Sequence, residues 1–451
     1  MIGFDDFSNK FTNILILILI VSVIIRLFFL HPTFSDENFY INVGKTILEG
    51  KTPYKDFFFA HPPLQVYTLA ILFKVFGISF LVGKSLTLIT SSLCVFLLYL
   101  ITKELYDERS GFIVAIIFII TPAFLAFSTM CHGMWETTFL ILLSTYLLIK
   151  NKLKLAGIVF VVAVLFRYLA IVYLPFLIVF LYIRKQKIKN FLISFFMTSL
   201  LSGLLLLYVF GRTYIDQTVF YQMFSKVILN VSETQGMQYW GIGFFFLFLA
   251  LISAFVAYMK KDRILLLFAT IPLIADIIIL LGLRLVYYHY FLISLVFCVI
   301  AIDRVLTVSK DWIVRFAILV ILLLSITSNI RTIDYYINPS HAEKFYSTAE
   351  YIMNNTSEED AIFGEPVMTN YVSFVTGRRI SSDYPDSYLR HLIFEGEDKI
   401  IHNLNEDKPK FFIEMEGYYL SNSYFKDFVL DNYRLEKNIE GAPNYSIYVM
   451  K

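Results

Sequence analysis

The stretch FTNILILILIVSVIIRLFFL, residues 11–30, runs directly into HPTFSDENFYINVGKTILEGKTPYKDFFFAHPPL, residues 31–64. A nearly unbroken apolar run of this length is enough to cross the hydrocarbon of a bilayer as one helix. It is too long for a signal-peptide core and no small-residue cleavage site follows it, so it is expected to remain as an anchor. What comes next is opposite in character. The acids Asp36 and Glu37 emerge directly after the anchor, a helix-like stretch leads to Gly50, and His61-Pro62-Pro63 opens a second apolar segment. Ionisable groups are thereby gathered at the boundary between lipid and water.

The rest of the chain has the same bias. Of its 451 residues 58% are hydrophobic and only 16% charged, with a mean hydropathy of +0.68, which lies outside the balance of soluble globular proteins. The chain reads as an integral membrane protein. A net charge of +2 gives no footprint for a polyanion, so no nucleic-acid partner is expected. Residues 331–451 carry 12 basic and 20 acidic residues, net −8, against 26 and 16, net +10, in residues 1–330. A basic apolar body thus carries an acidic polar tail. Cys94, Cys131 and Cys298 all fall in or beside apolar stretches, which leaves neither a disulfide framework in the tail nor a thiol metal site.

Apolar runs near 11–30, 80–102, 111–129, 134–149, 153–167, 169–183, 190–210, 241–259, 264–282, 286–303 and 312–330 predict eleven spans. Residues 63–79 are ambiguous, and the positive-inside rule decides them. If they lie in the interface and the N-terminus is cytoplasmic, the basic groups at Lys150/Lys152/Lys154, Arg184/Lys185/Lys187/Lys189, Lys260/Lys261/Arg263 and Arg304/Lys310 all face the cytoplasm. If they cross, these groups flip outward together. The interfacial reading places residues 31–79, 211–240 and the tail outside. In the tail, HAEKFYSTAEYIMNN and SYFKDFVLDNY have helical apolar spacing, whereas AIFGE, KFFIEM and YSIYVM have strand character. A small extracytoplasmic α/β domain over 331–451 follows. No inverted repeat or low-complexity linker is visible.

The order of motifs resembles the membrane glycosyltransferases of the GT-C fold, specifically the branch with lipid A aminoarabinose transferase and the protein O-mannosyltransferases. The resemblance is carried by Asp36-Glu37 after the first span, the turn from Gly50 to Pro53, His61-Pro62-Pro63 opening a helix that ends in Phe76-Gly77, Thr121-Pro122 followed by Trp135-Glu136, LFRYLAIVYLP at 165–175, and the aromatic run 287–290. It implies a GT-C-like all-α polytopic domain over 1–330, a polyprenyl-phosphate sugar donor, and a lipid, glycan or protein acceptor at the outer face of the cell membrane. Two departures stand out. Glu136 replaces the usual Asp, and His61 replaces a common Lys. The Trp-Trp-Asp motif of the related oligosaccharyltransferases is missing from the sequence, which argues against en bloc glycan transfer.

Such a transfer needs a base for the acceptor hydroxyl and cations for the departing phosphate. Asp36 is placed for the first task, with Glu37 beside it and Glu136 as a second acid. Arg167, Lys84 and Arg284 are the cations expected to meet the phosphate, and His61, Tyr40 and His289 are the substrate-contact candidates. Each has a plainer structural reading: solvated juxtamembrane acids for Asp36 and Glu37, a helix-terminus carboxylate for Glu136, and a snorkelling cation for Arg167. Asp36, Glu37 and Glu136 are also hard oxygen donors for a divalent metal, but no tight ligand spacing demands one, and no cofactor is expected. The rival readings are a transporter, with Asp276 and Arg284 lining a path, and a noncatalytic scaffold whose tail binds a partner.

Overall fold

The computed structural model describes residues 4–225, 240–282, 288–308, 312–440 and 443–451. Arg284, Tyr287 and part of the 211–240 connection lie outside them. The first half is a run of helices: α1 Phe4–Leu27, α2 Glu37–Leu48, α3 Leu64–Phe76, α4 Phe80–Leu105, α5 Glu108–Ile119, α6 Pro122–Phe127, α7 Met134–Ile149, α8 Leu153–Phe166, α9 Leu174–Ile183 and α10 Ile188–Phe210. Helices Trp240–Lys260, Arg263–Gly282, Leu292–Val308 and Trp312–Ser328 complete the apolar body.

Four helices among the described residues are long and apolar enough to cross a bilayer: Phe80–Leu105, Ile188–Phe210, Arg263–Leu281 and His289–Thr307. A fifth arises if Arg315–Ser328 and Ile330–Ile337, bent by 49°, are taken together. The other apolar helices, Phe11–Leu27 and α7 among them, run to 10–17 residues. The stretch 111–129, expected as one span, is interrupted. Pro122 lacks an N–H and forces the preceding residue out of the α region, so α5 stops at Ile119 and Thr121 is extended, its hydroxyl accepting from Phe124 N at 3.3 Å. Similarly, 169–183 begins as a 3-10 turn, Tyr168–Tyr173, before Pro175 near the start of α9. The ambiguous segment forms α3, whose 13 residues reach about 20 Å at 1.5 Å per residue, short of a hydrocarbon core of about 30 Å.

Five strands build the tail: β1 Ala361–Gly364, β2 Arg379–Ile380, β3 Phe411–Met415, β4 Tyr433–Ile439 and β5 Tyr445–Met450. Their order is β2-β1-β3-β5-β4. β1 runs parallel to β2 and β3, while β5 is antiparallel to β3 and β4. Side chains alternate across the pleat, so Ile362, Phe411 and Ile413 pack with Phe345, Ile352 and Met368 on one face. Phe363 and Phe412 pack with Leu392, Leu404 and Phe425 on the other. A sheet covered on both faces explains the apolar runs Ala361–Phe363 of β1 and Phe411–Ile413 of β3.

The tail domain sits on the body through α2. Asn38, Asn42 and Lys45, spaced to share one helical face, meet the helix Pro366–Thr376: Asn38 Nδ2 donates to Val367 O at 3.3 Å, Asn42 Nδ2 to Asn370 Oδ1 at 2.9 Å, and Lys45 Nζ to Ser373 O at 3.3 Å. The opposite side of α2 packs Phe39, Ile41 and Val43 into the body with Val66, Leu69 and Phe73 of α3. The residues after the first span are therefore held between body and tail.

Candidate functional site

Asp36 is the N-cap residue of α2, yet its side chain makes no capping bond to the helix. Its half-buried carboxylate instead accepts a hydrogen bond from the hydroxyl of Tyr388 in the tail. The helix N-terminus beside it favours a negative charge. Glu37, one residue on, has the reverse fate. It is fully buried, and its Oε1 accepts from Thr33 Oγ1 at 2.6 Å, Thr33 N at 3.1 Å and Lys84 Nζ at 3.0 Å, while Oε2 accepts from Cys131 N at 3.2 Å. Lys84 also donates to His31 O at 2.7 Å and is equally buried. Both charges of this pair meet inside the protein, so Lys84, expected to meet the donor phosphate, is engaged by Glu37. In this structure its ammonium is directed at Glu37. Glu37 likewise holds the turn 31–37 against the 128–133 connection and does not face an open site.

Glu136 lies in the first turn of α7 and is buried. Its Oε1 accepts from Thr87 Oγ1 at 2.8 Å and Thr90 Oγ1 at 3.1 Å, and Oε2 has no hydrogen-bond partner among the described residues. One face of α4 thus presents Lys84 to Glu37 and, a turn later, Thr87 to Glu136.

Arg167 ends α8. Its Nε donates to His132 O at 2.7 Å, Nη2 donates to the same oxygen and to Gln65 Oε1 at 2.9 Å, and the guanidinium lies 4.4 Å from the ring centre of Tyr40. Gly133 makes this approach feasible. Its φ is +76°, and a Cβ there would lie 2.6 Å from Gln65 Oε1 and 3.0 Å from Arg167 Nε, so a side chain is excluded on both counts. Tyr40 is buried, which raises its phenol above the ordinary range against the pull of Arg167. His61 is half-buried with its ring 5.5 Å from that of Tyr40, and its backbone oxygen accepts from Tyr54 OH at 2.6 Å.

His132 was not among the residues singled out from sequence. It is buried and stacks on His289 with ring centres 4.8 Å apart and planes 11° apart. Burial pushes it down to about 4, although Asp36 and Glu37 pull the other way, so at neutral pH it is an uncharged imidazole. The structure therefore gathers Asp36, Tyr40, His61, Arg167 and His289 around His132, with Glu37 and Lys84 behind them. Asp276 is buried and accepts from Ser294 Oγ, which is 2.7 Å from Tyr173 OH. Among the described residues no three His, Cys, Asp or Glu side chains converge as a cation site. Two contributors left little trace in the sequence: His132, in the short turn before α7, and Tyr388, 352 residues from Asp36.

This apolar helical body with an ionisable first connection and a small mixed-sheet domain docked on α2 is similar in fold to solved membrane glycosyltransferases. Residues 60–211 match the family described as dolichyl-phosphate-mannose-protein mannosyltransferase, a segment that holds His61, Lys84, Glu136 and Arg167 and begins after Asp36. Over 98% of both chains the fold is similar to that of ArnT from Cupriavidus metallidurans bound to undecaprenyl phosphate, with a TM-score of 0.63 at 10% identity. It is similar over 98% of this chain and 74% of the other to the Archaeoglobus fulgidus oligosaccharyltransferase tethered to an acceptor peptide, with a TM-score of 0.58 at 14% identity. In sequence, GPI mannosyltransferase 1 of Saccharomyces cerevisiae is 23% identical over 226 residues, which is 46% of this chain. The match spans 56% of that relative's length.

Proposed function

We propose that the protein transfers a single sugar from a polyprenyl-phosphate carrier to a hydroxyl of a lipid, glycan or protein acceptor at the extracytoplasmic face of the cell membrane. The observation that carries this reading is the Asp36 carboxylate: unused as a helix cap, at the head of α2, and one helical turn from Tyr40, whose ring lies 4.4 Å from the Arg167 guanidinium. The acceptor oxygen forms a bond to the anomeric carbon as the bond from that carbon to the phosphate oxygen breaks. Asp36 takes the acceptor's proton, and Arg167 balances the charge left on the lipid phosphate. Glu136 is the second acid, and Tyr40, His61 and His289 flank the sugar. Glu37 and Lys84 hold the loop that carries Asp36. The likeness to a structure holding undecaprenyl phosphate supports a lipid-linked donor.

The same reading keeps eleven spans, with a cytoplasmic N-terminus, cytoplasmic basic loops and an extracytoplasmic tail. Cysteines placed singly at Lys187 and Glu359, both exposed, are then labelled from opposite sides of oriented vesicles. Labelling of Lys187 from the outer side and of Glu359 from the cytoplasmic side would return α3 as a crossing helix. The activity is tested by incubating purified protein with a panel of radiolabelled polyprenyl-phosphate sugars. Release of label from one donor to acceptor or water is expected, and inertness towards the whole panel would count against the reading.

A further inference from the structure

The loop 384–391 of the tail is fixed from several directions. Asn370, whose Oδ1 accepts from Asn42 Nδ2 of the body, donates through Nδ2 to Pro385 O at 2.6 Å. Ser387 Oγ donates to Gly364 O at 2.8 Å, and Leu389 N donates to Tyr418 OH at 3.0 Å. Gly364 itself cannot be replaced freely, since its φ is +145° and a Cβ would fall 2.0 Å from Ile413 O. Between these anchors stands Tyr388. The Arg390 guanidinium lies 5.2 Å from the centre of its ring, the His391 ring 5.5 Å and the Phe39 ring 6.3 Å. Arg390 Nε donates to His391 Nε2 at 3.3 Å, and the other ring nitrogen of His391 is paired with Asp386. The three are buried. This buried polar group packs against the Tyr388 ring, and the Tyr388 hydroxyl donates to Asp36.

We infer that Tyr388 is a positioning residue, through which the tail domain sets the orientation of the Asp36 carboxylate for transfer. The inference rests on the transferase reading above. An uncapped aspartate at the head of a helix has free rotation about its side-chain bonds, and a single oxygen must face the acceptor hydroxyl within hydrogen-bond reach. The Tyr388 hydroxyl engages Oδ1 and leaves Oδ2 as the oxygen directed at the acceptor. The tail domain is in this respect a part of the catalytic apparatus, and the body alone holds an incompletely oriented base.

The test is Tyr388→Phe in the full-length protein, which keeps the ring and its packing and removes only the donor. Loss of a hydrogen bond to a charged group is worth on the order of ten- to a hundredfold, so kcat is expected to fall by about that factor with KM for the lipid donor unchanged. In an Asp36→Asn background the same substitution should add almost nothing, because the two act as a unit. Wild-type kcat in a folded Tyr388→Phe protein would overturn the inference while leaving the transferase reading intact. Additive losses, or loss of the fold on removing this hydroxyl, would make Tyr388 a structural residue and overturn it equally. Failure of the wild type to use any lipid-linked donor would instead refute the underlying reading.

Discussion

The two sides of the site are held by different forces. On the body side, Glu37 and Lys84 form a buried ion pair whose remaining hydrogen-bonding capacity is met by Thr33, Cys131 N and His31 O. On the tail side, the loop bearing Tyr388 is held by hydrogen bonds with Asn370, Gly364 O and Tyr418, beside the buried Asp386, His391 and Arg390. Removing one member of the buried pair strands the other's charge, whereas the tail-side loop is spread over many bonds of which each alone carries little. The body fixes where charge stands, and the tail fixes which way one carboxylate turns. Asp36 and Glu37, neighbours in sequence, fall on opposite sides of this division.

The largest effect expected is on Asp36. Asp36→Asn keeps size and polarity but cannot take a proton, so turnover should drop by about 10² to 10⁴ with donor binding preserved. Retention of more than about a tenth of wild-type turnover would move the base to Glu136, to be examined by Glu136→Gln. Glu37→Ala is expected to act on the fold: removing one member of a buried pair costs about 3–5 kcal/mol, visible as a lowered Tm. Glu37→Leu with Lys84→Met should recover part of that stability without restoring activity if the loop shifts. A Glu37→Ala protein of wild-type Tm would show that the pair is not what holds the body side.

Arg167→Ala removes the cation and the bonds to His132 O and Gln65, and should weaken donor use by about 1.5–3 kcal/mol. Arg167→Lys keeps a charge but not the fork, so it should fall between wild type and alanine. Equal donor kinetics in the three proteins would sever Arg167 from the phosphate.

The smallest effect concerns pH and the tail. Glu365, capping the helix that docks on α2, is buried and pushed up to about 7 by desolvation, with Asp36 adding to the rise and the Met368 and Val367 amides opposing it. A carboxyl raised in the folded state holds its proton more tightly there than when unfolded, so its contribution is complete below the ordinary value of about 4.3 and is lost as pH rises towards 7. Glu414, also pushed up to about 7 by burial, acts in the same sense. Glu365→Gln should therefore raise Tm by a few degrees at pH 8 and little at pH 5. The reverse pattern would mean that the folded protein holds the Glu365 carboxyl below, not above, its ordinary range.

Much of the architecture is legible in the sequence, because apolar runs and alternation report burial directly. The helices Glu343–Asn355 and Ser423–Asn432 and the strands β1, β3 and β5 fall where the apolar spacing placed them. β4 escaped because the interior of YRLEKNI is exposed, which leaves no periodic apolar signal. The break at Thr121-Pro122 was visible as a proline but was absorbed into a span by hydropathy alone. Within the site, Asp36 and Arg167 stand out by type and position. The engagement of Lys84 by Glu37 does not, since a cation on α4 looks equally available until the packing of α2 is known. His132 and Tyr388 depend on contacts between distant segments, and no local pattern encodes them.

The identity of the donor is the centre of the account. Purified protein in liposomes, given one labelled sugar either as a polyprenyl-phosphate conjugate or as a soluble nucleotide conjugate, tests it directly. Transfer from the lipid-linked form alone is predicted, with free polyprenyl phosphate inhibiting as product. Transfer from the nucleotide form without any lipid carrier would contradict it.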